Sequence, residues 1–124
     1  MSKYITSDLL HYKIGNTKYL IEVTNTSKYG YCFKGVKDNF NGVICDEFIE
    51  DIPLTPEILE KNGWKKDKDG YINYIYHIKL CESSTNYAAY KVVNNSIVWL
   101  RAVENVSDLQ HLLFGLDISL KIEV

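Results

Sequence analysis

"IPLTPEILEKNGW", residues 52 to 64, decides how the rest of the chain is parsed. Thr55 is a favourable N-cap, because its hydroxyl can accept a hydrogen bond from an otherwise unpaired amide of the first helical turn. Pro56 follows where a missing N–H does no harm, Glu57 complements the positive end of the helix dipole, and Ile58 and Leu59 supply a buried side. Asn62 and Gly63 close the unit, Gly63 being suited to the left-handed position just past a helix end. The stretch predicts a helix of about two turns. Sequence patterned for β-structure lies on both sides of it.

On the N-terminal side, Lys18 to Val23 is a short β-rich run, followed by turn-formers at Thr24 to Lys28. Tyr29 to Val36 sets Tyr31, Phe33 and Gly35 in one register and Cys32, Lys34 and Val36 in the other. Asn39 to Gly42 supplies turn chemistry, and Val43-Ile44-Cys45 begins a third strand expected to continue through Phe48 and Ile49. Residues 9 to 52 therefore read as a compact antiparallel meander of the SH3-like kind.

On the C-terminal side, Trp64 leads into Lys65 to Gly70, a polar turn ending in Asp-Gly. Tyr71 to Leu80 then alternates, with Ile72, Tyr74, Tyr76, Ile78 and Leu80 on one face and Asn73, Ile75, His77 and Lys79 on the other, and so predicts one long strand. Glu82 to Asn86 is a polar loop, Tyr87 to Val93 the next strand, Asn94-Asn95 a hairpin turn, and Ile97 to Val103 the return. Ser107-Asp108-Leu109-Gln110 reads as a capping box opening a helix with Leu109, Leu112, Leu113 and Leu116 at helical spacing, ended by Gly115 and Asp117. Leu120 to Val124 reads as a closing edge strand. The fold class is α+β: antiparallel β-sheets, a small N-terminal SH3-like meander plus a second antiparallel sheet, with two short helices. A chain of 124 residues is expected to form a single compact domain, 1–124, with sub-lobes at 9–52 and 53–124 as its natural division.

Hydrophobic and charged shares of 46% and 24% are those of an ordinary globular chain. No apolar run approaches the roughly 20 residues that a membrane helix needs. Residues 1 to 8 lack an apolar signal core, which points to the cytoplasm, so the sequons at Asn25, Asn94 and Asn105 read as by-products of an Asn-rich composition. Net charge of −2 gives no electrostatic footprint for nucleic acid. Arg101 is the one arginine among fourteen basic residues, and with abundant Ile, Asn and Tyr this fits an AT-rich coding bias. Cys32, Cys45 and Cys81 are odd in number, widely spaced and without a C-x-x-C, and read as buried free thiols.

Candidate chemistry is sparse. Aligning Gly70 with the glycine of a calcium loop puts Lys65 and Tyr76 where an acid and a bidentate Glu are required, so Asp67 to Ile72 reads as a turn. Asp46, Glu47, Glu50 and Asp51 read as a solvated edge, because consecutive strand residues point to opposite faces. His11, His77 and His111 have no partner at metal-ligand spacing, and no nucleophile motif or phosphate loop is present, so neither catalytic residues nor a cofactor or metal is assigned. The constellation that remains pairs aromatic rings with cations. Trp99 and Arg101 are expected on one strand face, with Tyr74, Tyr76 and Tyr90 on neighbouring strands and Lys65 and Lys66 nearby. Such a surface can stack on a base and grip phosphates, or anchor a protein partner. The competing reading is a Tyr- and Trp-lined core whose polar tips reach water.

"IPLTPEILEKNGW", the Lys/Asp/Gly turn and Tyr-rich strands after it, and "VSDLQHLLFGL" at 106 to 116 resemble a family of small uncharacterised proteins of gut Bacteroidetes and their phages or prophages. The similarity covers residues 9 to 124. It departs at the last helix, where the family's His-Gln-Leu-Gln entry is replaced by Ser107-Asp108-Leu109-Gln110. The resemblance implies a phage-type setting in a bacterial host cell and carries no assigned catalytic residue onto this chain. The expected function is therefore non-enzymatic: an accessory protein that binds and occludes a host or phage protein, as an inhibitor of host antiviral defence does. The alternative is a sponge that sequesters a nucleotide immune signal without cleaving it, at the interface of a homo-oligomer. A virion component is the third reading.

Overall fold

A computed structural model describes residues 4–124. The chain divides into two compact units, Met1–Ile52 and Pro53–Val124. The first three residues of the N-terminal segment read above lie outside the described residues.

In the first unit, β1 (Leu9–Ile14), β2 (Thr17–Ser27), β3 (Gly30–Gly35), β4 (Asn41–Ile44) and β5 (Ile49–Glu50) form an antiparallel sheet in the order β4-β3-β2-β1-β5. A single 3-10 turn at Asp46–Phe48 precedes the last strand. This is an antiparallel meander over the residues expected to form one. The alternation of β1, β2 and β3 puts Leu10, Ile21, Val23, Tyr31 and Phe33 on one face, where they join Tyr4 and Ile44 in a buried cluster. Tyr12, Phe33, Phe40 and Tyr19 continue it as a chain of edge-to-face contacts, each 5.5 Å between centroids from Tyr12–Phe33 through Phe33–Phe40 to Tyr19–Phe40.

The strand expected to run from Val43 through Ile49 is broken. β4 pairs with β3 while β5 pairs with β1, at opposite edges of the sheet, and no single extended segment can reach both. The turn at 46 to 48 carries the chain across.

The second unit begins with α1 (Pro56–Lys61), continues through β6 (Lys65–Asp67), β7 (Gly70–Asn73), β8 (Ile78–Glu82), β9 (Tyr87–Val93) and β10 (Ser96–Val103), and ends with α2 (Val106–Gly115). The five strands form an antiparallel sheet in sequence order, β10-β9-β8-β7-β6. The Thr55 hydroxyl accepts from the Ile58 amide at 3.3 Å, and Pro56 takes the first helical position. At the other end Gly63 sits at φ +86, its amide reaching the Glu60 carbonyl at 3.2 Å while the Trp64 amide reaches Leu59 at 3.0 Å. These two bonds satisfy carbonyls that the helix end leaves open, and they turn Trp64 back into the core beside Leu59, both almost fully buried.

Four expectations for this unit are corrected. Lys65 to Asp67 is a strand rather than part of a turn; the turn is shortened to Lys68-Asp69, between the paired residues Asp67 and Gly70. Tyr71 to Leu80 is a hairpin rather than one strand, with Tyr71 opposite Leu80, Asn73 opposite Ile78, and Tyr74 to His77 forming the turn. The buried Asn73 carboxamide makes that turn by accepting from the amides of Ile75 at 3.0 Å and Tyr76 at 3.1 Å. The capping box of the last helix is shifted: Asn105 is the N-cap, and Asp108 reaches back to the Asn105 amide at 3.1 Å, while Ser107 and Gln110 are buried. Finally, residues 118 to 124 join no sheet. The Asn62 side chain holds that segment instead, its Nδ2 donating to the Glu123 carbonyl and its Oδ1 accepting from the Glu123 amide, each at 2.7 Å, as Ile122 fills a buried site.

The cysteines are free, but none is buried: Cys45 is exposed and Cys32 and Cys81 are half-buried. Cys32 lies opposite Val43 and Cys81 opposite Ala88, in the registers that face away from the two cores. Among the described residues no helix is long and apolar enough to cross a membrane.

Candidate functional site

The register of the second sheet assigns every side chain to a face, because antiparallel partners project to the same side. Tyr71, Asn73, Ile78, Leu80, Ala89 and Val103 share the buried face. Arg101, opposite Ala89, belongs to this face as well, and its Nη2 meets Asp108 of α2 at 3.3 Å. Helix α2 therefore covers it. The other face carries Ile72, Lys79, Cys81, Ala88, Tyr90, Val92, Ile97 and Trp99, none of them fully buried.

Trp99 and Arg101 do not share a face. Trp99 pairs with Tyr90 and Arg101 with the next residue, Ala89, so Leu100 is an extra residue in β10. A bulge of this kind breaks the strict alternation on which the sequence reading rested. Arg101 is also engaged twice, by Asp108 and through Nε by the Ala102 carbonyl at 3.0 Å. The aromatic ring and the guanidinium are thus divided between an outer surface and a sheet–helix seam.

Trp99 is 60% exposed, with half-buried Tyr90 beside it in register. Tyr74 and Tyr76 lie in the β7–β8 turn, Tyr74 exposed and Tyr76 half-buried. That turn sits at the end of the sheet from which the β9–β10 hairpin projects: the His77 carbonyl accepts from Val92 at 2.8 Å, and the Tyr76 carbonyl accepts from the Lys91 ammonium. The two lysines of β6 part company. Lys65 lies opposite Ile72 on the outer face, while Lys66 lies on the other, 3.2 Å from Glu82 and 5.0 Å over the Tyr71 ring. The Glu82 hydrogen bond raises the Lys66 pKa above its ordinary value. Lys79 on the outer face is raised likewise by Asp67, at 3.2 Å, with Asp69 at 3.6 Å.

Comparison with protein-family models, with curated proteins and with solved structures returns no match.

The residues that the sequence did not single out are the apolar ones. Ile75 at 80% exposure, Ile97 at 54% and Val98 at 52% stand with Tyr74, Val93 and Trp99 around the open end of the second sheet. The available signal was the run Ile97-Val98-Trp99-Leu100, four apolar residues without a polar alternate. Among the described residues no group of three or more His, Cys, Asp or Glu side chains is placed to hold a metal ion. Glu50 of the acidic group is engaged by Lys18 at 2.6 Å and Lys13 at 3.9 Å, and Asp51 by the Tyr4 hydroxyl at 3.0 Å. These partners all belong to the first unit.

Proposed function

We propose that this protein acts by binding and occluding another protein, without turning over a substrate, and that the open end of its second sheet is the contact surface. The observation that carries this reading is the apolar end itself. Tyr74, Ile75, Val93, Ile97, Val98 and Trp99, on both faces of that end, are each between 45% and 80% exposed, and apolar side chains gathered in this way mark interaction sites. Exposed Trp and Tyr are the residue types from which interface anchors are most often drawn. The resemblance to phage and prophage proteins supplies the partner class, a host or phage protein met in the bacterial cytoplasm, and occlusion of a defence component is the role that suits such a setting.

The sponge reading draws less support from the same geometry. Its two principal groups, Trp99 and Arg101, lie on opposite faces, Arg101 is paired with Asp108, and Lys66 is paired with Glu82.

Affinity capture from host lysate is expected to recover one stoichiometric partner. Trp99→Ser should weaken that partner's binding by about 2 kcal/mol, roughly thirtyfold. Tyr29→Ser, at an exposed tyrosine of the first unit, should leave it unchanged. Equal affinity for both variants would remove this surface from the assignment, and no stoichiometric partner would remove the function.

A further inference from the structure

We infer that two copies of this chain pair through β10, edge to edge and antiparallel, to make one continuous ten-stranded sheet. The inference comes from how the edges of the two sheets differ. An edge strand presents unpaired N–H and C=O groups, and protein edges are ordinarily kept from pairing by shortness or by charge. Three edges here follow that rule: β4 has four residues including Gly42, β5 has two, and β6 is Lys65-Lys66-Asp67. The β10 edge does not. It spans eight residues, and its first five, Ser96-Ile97-Val98-Trp99-Leu100, contain no charge and no proline. Side chains on both faces of this stretch are exposed, Ile97 and Trp99 on one and Val98 on the other. Among the described residues, no backbone hydrogen bond from a helix or loop runs to residues 96 to 100.

Self-pairing suits this edge better than a foreign strand, because the stretch is complementary to its own two-fold copy. A two-fold axis normal to the sheet must pair residues of the same face, and centring it on Val98 does so. Val98 then meets Val98 of the second copy, and Ile97 meets Trp99 twice, once on each side of the axis. Aromatic and β-branched residues directly opposite each other are among the favourable cross-strand pairs. Arg101 lies beyond the bulge, outside the paired segment, so no like charges meet. The Leu100 bulge ends the regular edge and thereby limits the register to this short segment. The pairing also sets the outer faces of the two copies side by side, so that both Trp99 rings lie near the centre of one extended surface.

This inference does not rest on the proposed function and is tested on the purified chain alone. Sedimentation velocity across the micromolar range should show a concentration-dependent species of twice the 14.3 kDa chain mass. Val98→Lys places like charges opposite each other at the two-fold and should weaken the dimer at least about tenfold, with Ile97→Lys acting in the same direction. Tyr29→Lys should leave it intact. A wild-type chain that stays monomeric throughout the range overturns the inference, and so does a dimer that survives both lysine variants, whose circular dichroism establishes that they are folded. Failure to capture a host partner would leave the dimer measurement untouched, and a monomeric chain that still captures its partner would separate the two readings in the opposite sense.

Discussion

His11 shows how a single side chain in this fold is tuned by its neighbours. It sits on β1 between Leu20 of β2 and Glu50 of β5, and its pKa is lowered from 6.5, first by partial burial and then by the Lys18 ammonium, with Glu50 acting in the opposite direction. A folded value below the unfolded one means that the unfolded chain takes up the proton first as the pH falls. The contribution of this group to stability is therefore full above 6.5 and is lost as the pH falls through the interval down to the folded value. Proton NMR of the imidazole should give a midpoint below 6.5 for His11. Lys18→Met should move that midpoint up and Glu50→Gln should move it down. The opposite order of shifts would mean that these two charges do not act on the imidazole as this geometry requires. Asp117 makes a related point about legibility. The sequence suggested that Gly115 and Asp117 both mark the end of α2, yet Gly115 is its last helical residue and Asp117 takes the left-handed position, at φ 59. Its amide bonds the Phe114 carbonyl at 3.0 Å while Ile118 bonds Leu113 at 2.9 Å, the same closure that Gly63 gives α1. Residue type narrowed the position to two candidates, and the helix's carbonyl geometry chose between them.

At the scale of elements, the sequence was most legible where one residue type has one mechanical use. The Thr55-Pro56 entry, the Gly63 exit and the Asn94-Asn95 turn, both of whose residues are left-handed at φ 47 and 69, were all readable for that reason. It was least legible at Tyr71 to Leu80. Both limbs of that hairpin keep the period of two, and its turn, Tyr74-Ile75-Tyr76-His77, contains no Gly or Pro and opens with three residues that favour strands. The turn is made instead by the residue before it, since the buried Asn73 side chain bonds two turn amides. Gly70 adds a second constraint, because a Cβ there would collide with the Leu80 carbonyl across the β7–β8 pair. Asn73→Ala should cost about 1–3 kcal/mol in chemical denaturation, since it removes the acceptor of both amides and leaves a gap at a buried position. Asn73→Asp, which keeps the acceptor, should cost less above the carboxyl's titration range. Equal losses for the two variants would mean that volume, and not the paired amides, sets the stability of this hairpin.

For the whole molecule, the fold class followed from counting β-patterned runs and helix signals, but the candidate site could not be assembled that way. Placing Trp99 and Arg101 together required an unbroken alternation along β10, and the Leu100 bulge is a tertiary accommodation with no local residue signature. What the run Ile97 to Leu100 did carry was an edge without charge, whose meaning depends on knowing that β10 has a neighbour on one side alone. The two tryptophans turn this arrangement into a measurement on the intact chain. Trp64 is 2% exposed and closed to a soluble quencher, whereas Trp99 is 60% exposed, so the quenchable part of the fluorescence reports Trp99 alone. At low concentration, acrylamide should quench that part efficiently. As concentration rises and β10 edges pair, Trp99 comes to lie against Ile97 of the second copy, so its quenching constant should fall and its emission shift to shorter wavelength. Val98→Lys should hold the low-concentration values at every concentration. A quenching constant that falls equally in wild type and in that variant would place the association surface elsewhere on the chain, because the variant alters the edge without touching Trp99 itself.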